Sequence, residues 1–434
     1  MELNNPRVIK AWCLYDWANS VYNLVITSTI FPVYYIAVTT SGDSDLVNFF
    51  GFSLPNTVLY SYSLSFSFLV VAAMQPILSG IADYSGNKKN FMKFFTWLGG
   101  LSCICLFFFD GENVEFGITC SVFASIGYGG ALVFYNSYLP EIATYDQYDT
   151  ISAKGFSYGY IGSVLLLIFN LVMIQKPEWF GLTPGNLPAK ISFLTVGVWW
   201  IGFAQITFYN LPENTQSKKI MMQHLLNGYN EIRKVWFSLA QLPDLKKYLR
   251  SFFFYNTGVQ TIMYLAATFG SKELELSAVK LIMSVLIIQL VAIPGSFLFA
   301  RLSNKSGNRF SLSTMVIMWI FICIAAYLVQ NEFQFYALAF SVGLIMGGIQ
   351  SLSRATFTKL MPANTIDHAS YFSFYSVTYN ISTVIGTFAF GFIEQLTGSM
   401  RNSALSLGGF FVIGFILLLQ VRIPRSEKEA YKLD

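Results

Sequence analysis

Apolar residues gather in twelve long runs along the chain, near 15–39, 57–82, 91–110, 114–138, 154–175, 190–211, 249–270, 276–300, 310–330, 333–355, 369–394 and 401–422. Each approaches or exceeds the ~20 residues a helix needs to cross ~30 Å of hydrocarbon. Polar residues recur inside them at helical spacing, not in the two-residue alternation of a membrane barrel. The pattern predicts an all-α integral membrane protein of twelve transmembrane helices. Polar residues interrupt the first and last runs and blur their edges.

The longest polar stretch, 212–248, lies midway and contains IMMQHLLNGYNEIRKVWFSL. There Leu225, Tyr229, Ile232, Trp236 and Leu239 share one helical face beside Arg233 and Lys234, which reads as an amphipathic helix in a cytoplasmic linker. The chain echoes itself on either side. SGIADYSGNKK (79–89) follows the second run and ARLSNKSGNR (300–309) the eighth, so that Gly86 and Gly307 stand 221 residues apart. Pro140 and Pro362 close the fourth and tenth runs 222 residues apart. Two landmarks at nearly one offset predict six-helix pseudo-repeats: an N-terminal bundle over 1–211, the linker over 212–248, a C-terminal bundle over 249–422 and a tail over 423–434. A substrate path then runs between the bundles.

Composition and charge fix the setting. The chain is 54% apolar and 12% charged, against about 45–50% and about 25% in soluble domains, so most of its exterior faces lipid. With the N-terminus inside, 22 of the 27 Lys and Arg fall on inner segments, and only Lys176, Lys190, Lys272, Lys280 and Arg401 fall outside. The positive-inside rule places both termini in the cytoplasm, which for a bacterial chain means the inner membrane. The net charge of +4 follows from this topology and gives no reason to expect nucleic acid. No cleavable signal precedes the first run. The five cysteines form no C-x-x-C and read as packing residues. Both histidines, His224 and His368, fall in inner loops, so no metal set lies within a span. GYGGAL and SGNKK lack the spacing of a nucleotide-binding loop. Neither a metal nor a cofactor is expected, and the chain is read as a monomer.

SGIADYSGNKK resembles the loop between the second and third spans of the major facilitator superfamily, with Ser79 in place of the first glycine and Tyr84 in place of the usual arginine. In the second copy Asn304 stands where the acid belongs. More narrowly, YDWANSVYNLVITSTIFPVYY, NSYLPEIA, SAKGFSYGYIGS and GGIQSLSRATFTKLMP resemble the vacuole effluxer family of that superfamily, over roughly residues 8–425. The resemblance implies a facilitator fold and efflux of small neutral amino acids. It also implies that Asp83, with Lys88 and Lys89, latches the inner ends of the two halves.

Strongly polar groups within hydrocarbon face protein or a cavity. In a facilitator fold the first span lines the path, which makes Asn19, Tyr22 and Asn23 substrate candidates, with hydrogen bonding between helices as the alternative. Asp16, among Trp12, Tyr15 and Trp17 read as an aromatic belt, is either a charge opening the helix or a gate and proton carrier. Asn136, Tyr158, Asn256, Gln260, Gln350 and Tyr379 are further substrate candidates. Arg354 suits a carboxylate of the cargo or an acid such as Asp16, with inside-positive topology as the bland reading. Glu141 and Lys154 are candidates for a pair at the inner mouth. Asp16, Glu141 and Glu394 are the carboxylates available if protons are the coupling ion. GYGG (127–130) and GLIMGG (343–348) read as close helix packing. Three functions compete: export of a small polar solute, a cation-linked sugar permease, and a membrane-embedded enzyme or lipid-handling protein. The last has no clustered nucleophiles in the spans to support it.

Overall fold

The computed structural model describes residues 2–40, 44–212, 233–362, 365–424 and Glu429. Eleven described helices are long and apolar enough to cross a membrane: Pro6–Thr39, Asn56–Ser85, Lys88–Phe108, Val114–Ile142, Tyr145–Gln175, Leu187–Asn210, Val279–Ser306, Asn308–Leu328, Glu332–Leu360, His368–Thr397 and Met400–Leu418. A further helix, Pro243–Leu274, occupies the seventh place in chain order. Its turns are diluted by Asn256, Thr257, Gln260 and Thr261, all buried. Polarity turned inward, rather than shortness, keeps it apart from the others.

Local chemistry sets the helix ends. The Asn5 side chain accepts the Arg7 N–H and Pro6 opens the first helix, as the orphan donors of a helix start require. Gly86 and Gly398 end the second and eleventh helices at φ of +71° and +67°, a conformation glycine adopts without a Cβ penalty. Several helices run past their apolar runs, because buried polar residues there have partners. The fifth begins before Asp149, and the tenth continues through Lys359 to Leu360. The first and second helices are joined by a short hairpin pairing Leu46–Phe49 with Phe52–Pro55.

Two hydrophobic cores form. One gathers residues almost wholly from before residue 212, around Trp200, Phe95 and Phe134; the other, apart from Val133 and Tyr160, gathers residues from after residue 234, around Trp319, Phe357 and Phe411. The glycine-rich stretches lie at close helix crossings. A Cβ on Gly127 would stand 2.4 Å from the Gly99 nitrogen, and one on Gly347 would stand 2.2 Å from the Ala292 carbonyl oxygen.

Hydrogen bonds gather the alternate helix ends at one face, hereafter the basic end. Asn4 donates to the Ile142 carbonyl and Arg7 to Asn210; Lys89 donates to the Leu211 carbonyl and Tyr145 to the Pro424 carbonyl. At the opposite end the ion pairs Lys272–Glu394, Lys280–Glu332 and Arg401–Glu273 each join helices of the second half.

Two expectations are corrected here. Trp12 and Tyr15 form no belt, since both are fully buried in the first half. Asp16 lies ten residues past Pro6, well inside the helix, so it is no helix-opening charge. In the linker, residues 213–232 lie outside the described residues, including Leu225, Tyr229 and Ile232. The helical turns over 233–241 bury Val235 and Leu239 and leave Trp236 exposed.

Candidate functional site

A cavity of about 250 Å³ lies between the two halves. Asp16, Ser20 and Asn23 of the first helix and Asn136 of the fourth line its first-half side, with Tyr160 and Ser163 of the fifth. Asn256, Gln260, Gln289, Gln350 and Tyr379 supply polar groups from the second half, among aliphatic residues such as Val259 and Met346.

Most of the sequence candidates meet here, and three do not. Asn23, Asn136, Asn256, Gln260, Gln350, Arg354 and Tyr379 are on the wall. Asn19, Tyr22 and Tyr158 are off it. Tyr22 is buried in the first half, bonded to Ser125 Oγ at 2.7 Å and packed on the rings of Tyr128 and Trp200. At about 100° per residue, Ser20 and Asn23 lie within about 40° of Asp16, whereas Tyr22 lies about 120° away. The wall-facing stripe is therefore Asp16, Ser20 and Asn23. From Tyr22 to Ile30 the same helix is π-wound, a geometry that in proteins is usually confined to single turns near functional sites. Ser28 and Thr29 donate to the Asn23 and Leu24 carbonyls, at 2.9 Å and 2.7 Å.

The second-half wall is pre-arranged by its own hydrogen bonds. Asn256 donates to Ser382 Oγ at 2.7 Å, and Gln260 Nε2 donates to Asn256 Oδ1 at 3.2 Å. The Tyr379 hydroxyl donates to Gln260 Oε1 at 2.9 Å. Between the halves, Tyr160 donates to Gln350 Oε1 at 2.8 Å.

Arg354 closes the cavity towards the basic end. Its Nε donates to Ser152 Oγ at 2.9 Å and its Nη2 to the Ser152 carbonyl at 3.0 Å; its Nη1 donates to Asn136 Oδ1 at 3.1 Å and approaches Asp16 Oδ2 at 3.5 Å. The guanidinium also lies 4.3 Å from the Phe156 ring and 4.7 Å from the Trp12 ring, within cation–π range. Asp16 accepts the Tyr135 hydroxyl at 2.7 Å. A residue of the second half is thus held by the first, fourth and fifth helices. Gly155 makes room for this. A Cβ there would stand 2.8 Å from Asp16 Oδ2 and 3.1 Å from Arg354 Nη2. Gly155 lies inside SAKGFSYGYIGS, but a lone glycine in an apolar run gives no sign of the charge pair it faces.

Three more contacts seal the basic end. Asp83 accepts the backbone N–H of Ser370 at 2.7 Å and of Ala369 at 3.2 Å, at the start of the eleventh helix. Glu141 pairs with Lys88 and, at 3.0 Å, with His368. This corrects the expected Glu141–Lys154 pair: Lys154 belongs to a helix turn that the acid does not reach. Asp149, buried, accepts Lys359 Nζ at 2.8 Å, Asn308 at 2.8 Å and Ser303 at 2.9 Å. Neither Asp149 nor Lys359 is legible as a site in the sequence, because both fall beyond the edges of their apolar runs.

The arrangement is a polar cavity between two helical bundles, closed at one end by paired charges from both. Residues 4–431 match the sequence profile of the family described as vacuole effluxer Atg22 like. An uncharacterized MFS-type transporter of Bacillus subtilis, YxiO, is 30% identical, covering 94% of this chain and 93% of that protein. Autophagy-related protein 22 of Eremothecium gossypii is 23% identical, covering 98% and 93%. Among solved structures, the human organic anion transporter MFSD10 superposes with a TM-score of 0.73 at 10% identity, covering 96% of this chain and 100% of that one. The E. coli fucose:proton symporter FucP superposes with a TM-score of 0.68 at 12% identity, covering 96% and 98%. At these identities the structures share the fold alone.

Proposed function

The chain belongs to the vacuole effluxer Atg22-like family, and on that premise we propose that it exports small neutral amino acids by alternating access. It is a major facilitator transporter embedded in a membrane, not an enzyme. We place the basic end in the cytoplasm and the protein in a bacterial inner membrane, in keeping with the Lys and Arg bias.

One observation carries the reading. The cavity floor presents a guanidinium and a carboxylate 3.5 Å apart, Arg354 and Asp16, and a zwitterion offers the complementary pair of charges. Its carboxylate competes with Asp16 for Arg354, and its ammonium competes with Arg354 for Asp16. Binding therefore loosens the contact that holds the halves together, so the cargo shifts the balance between closed and open states. The volume of about 250 Å³ lies below the ~300–1,000 Å³ of drug-sized pockets and suits one small solute. Asp16 is also the acid placed to carry a coupling proton.

A cation-linked sugar permease is the other reading, supported by the amides of Asn23, Asn256, Gln260 and Gln350 on the wall, which suit hydroxyl groups. Counterflow in proteoliposomes separates the two. Labelled neutral amino acids should exchange, and the exchange should vanish in Arg354→Lys, which keeps the charge but loses the fork. Exchange of hexoses with none of any amino acid would replace this reading with the other.

A further inference from the structure

The segment 233–250 carries a surface that the transport path does not use. Over residues 233–241, Val235 and Leu239 are buried against the second half, while Arg233, Trp236 and Phe237 form the opposite face. Trp236 is 62% and Phe237 58% exposed, and the Arg233 guanidinium lies 5.6 Å from the Phe237 ring. Immediately beyond Pro243, Lys246 and Arg250 are exposed one turn apart at the base of the seventh helix, just before its apolar residues begin at Phe252. The nearby acids are engaged elsewhere: Asp244 accepts the Arg422 N–H at 3.0 Å and pairs with Lys247 at 3.8 Å, and Asp367 pairs with Lys234 at 3.1 Å.

We propose that this surface, Arg233, Trp236, Phe237, Lys246 and Arg250, is a binding site for the headgroups of anionic phospholipids. Charge and position select the occupant. Exposed indole and phenyl rings settle at the headgroup level of a bilayer. Basic side chains just outside a span attract anionic lipid, each by roughly five-fold. The helix is also tied to the sealed end. Ser238 Oγ is bonded to the Tyr371 hydroxyl at 2.8 Å, and Trp236 packs on Phe374 at 5.9 Å. Lipid held there thus bears on the first turns of the eleventh helix, whose backbone Asp83 holds.

The experiment is native mass spectrometry of the full chain released from detergent with phosphatidylglycerol or phosphatidylcholine. It is paired with acrylamide quenching of Trp236 in liposomes, read as the difference from Trp236→Phe. The protein should retain phosphatidylglycerol at least ten-fold in preference, and R233A/K246A/R250A should lose that preference while melting normally. Trp236 should be shielded from acrylamide in phosphatidylglycerol liposomes and quenched more readily in the triple variant. Equal retention of both lipids by the unaltered protein overturns the proposal. So does a Trp236 equally open to acrylamide in both liposomes, which would point to a protein partner instead. If the triple variant does not fold, R233Q/K246Q, which removes the charges but keeps part of each stem and a polar end, must show the same loss of preference or the proposal fails.

Discussion

A methyl group added at Gly155 should open the sealed end. In Gly155→Ala the Cβ lies 2.8 Å from Asp16 Oδ2, 2.9 Å from the Trp12 ring and 3.1 Å from Arg354 Nη2. The first and fifth helices have little freedom to separate. Further along the same face a Cβ on Gly159 would stand 2.5 Å from Ser20 Oγ, and one on Gly162 would stand 2.8 Å from the Trp17 carbonyl oxygen. The Asp16 carboxylate is therefore the group that moves, giving up the Tyr135 hydroxyl and the contact with Arg354. Overpacking of this kind costs ~1–3 kcal/mol, and a hydrogen bond to a charged group contributes ~1.5–3 kcal/mol. The two overlap, so closure at the basic end weakens by about 2–3 kcal/mol, a change of ~30–150-fold in the closed-to-open ratio at ~1.4 kcal/mol per tenfold. Hydrogen–deuterium exchange over 149–157 and 350–359 should quicken by more than ten-fold, with 273–280 at the opposite end unchanged. Unaltered exchange at both ends, with an unaltered melting temperature, would refute the assignment of Gly155 to this contact.

Other contacts make separate predictions. Asp83→Ala removes the acceptor for the Ala369 and Ser370 N–H groups and the charge at that helix start, worth ~1–2 kcal/mol; exchange at 368–371 should rise about ten-fold, and unaltered exchange there would remove Asp83 from the latch. Lys359→Met strands the buried Asp149 carboxylate at a cost of ~3–5 kcal/mol, and adding Asp149→Asn should restore more than half of the lost melting temperature; strict additivity of the two would show that they do not interact. Gln260→Ala frees Asn256 and Tyr379 from their bonds and should raise the half-saturating concentration for transport about ten-fold without lowering the maximal rate; an unchanged value removes this wall from the site.

Much of this was legible in the residues because burial in a membrane is so costly for polar groups. The spans and the repeat follow from hydropathy and spacing, and the latching role of the Asp83 loop from the family resemblance. Arg354 could be matched with Asp16 because a guanidinium in an apolar run needs a partner. The errors share one cause, which is that hydropathy reports where lipid is and not where polar groups are satisfied. Asp16 looked like a helix start because its neighbours Trp12 and Tyr15 looked like a belt, yet both rings are buried against Tyr135. Asn19 and Tyr22 share the first span with Asn23, but only Asn23 faces the path. Asp149 and Lys359 went unseen because their helices extend past the apolar runs, held there by the pair itself.

The sealed end also shows how a repeat can diverge while keeping its task. In the first copy of the loop the acid is Asp83, and it receives backbone N–H groups from the start of the eleventh helix. In the second copy the matching position is Asn304, which can receive or donate but brings no charge, and it donates to Thr150 at the start of the fifth helix. The carboxylate has crossed to the other partner. Asp149 supplies it from the fifth helix and takes Ser303 and Asn308 from the loop, with Lys359 added from the tenth. A carboxylate that receives only neutral donors from the other half, as Asp83 does while Lys88 of its own half stays near it, can part from them with water as replacement. One buried beside an ammonium parts at greater cost, since each ion must be rehydrated as the halves separate. The two latches therefore differ in strength although they repeat one loop. The Asp83 side should yield first, so opening begins between the second and eleventh helices and ends between the fifth and eighth. Exchange at 368–371 faster than at 149–152 in the unaltered protein is the expected order, and the reverse order would contradict it.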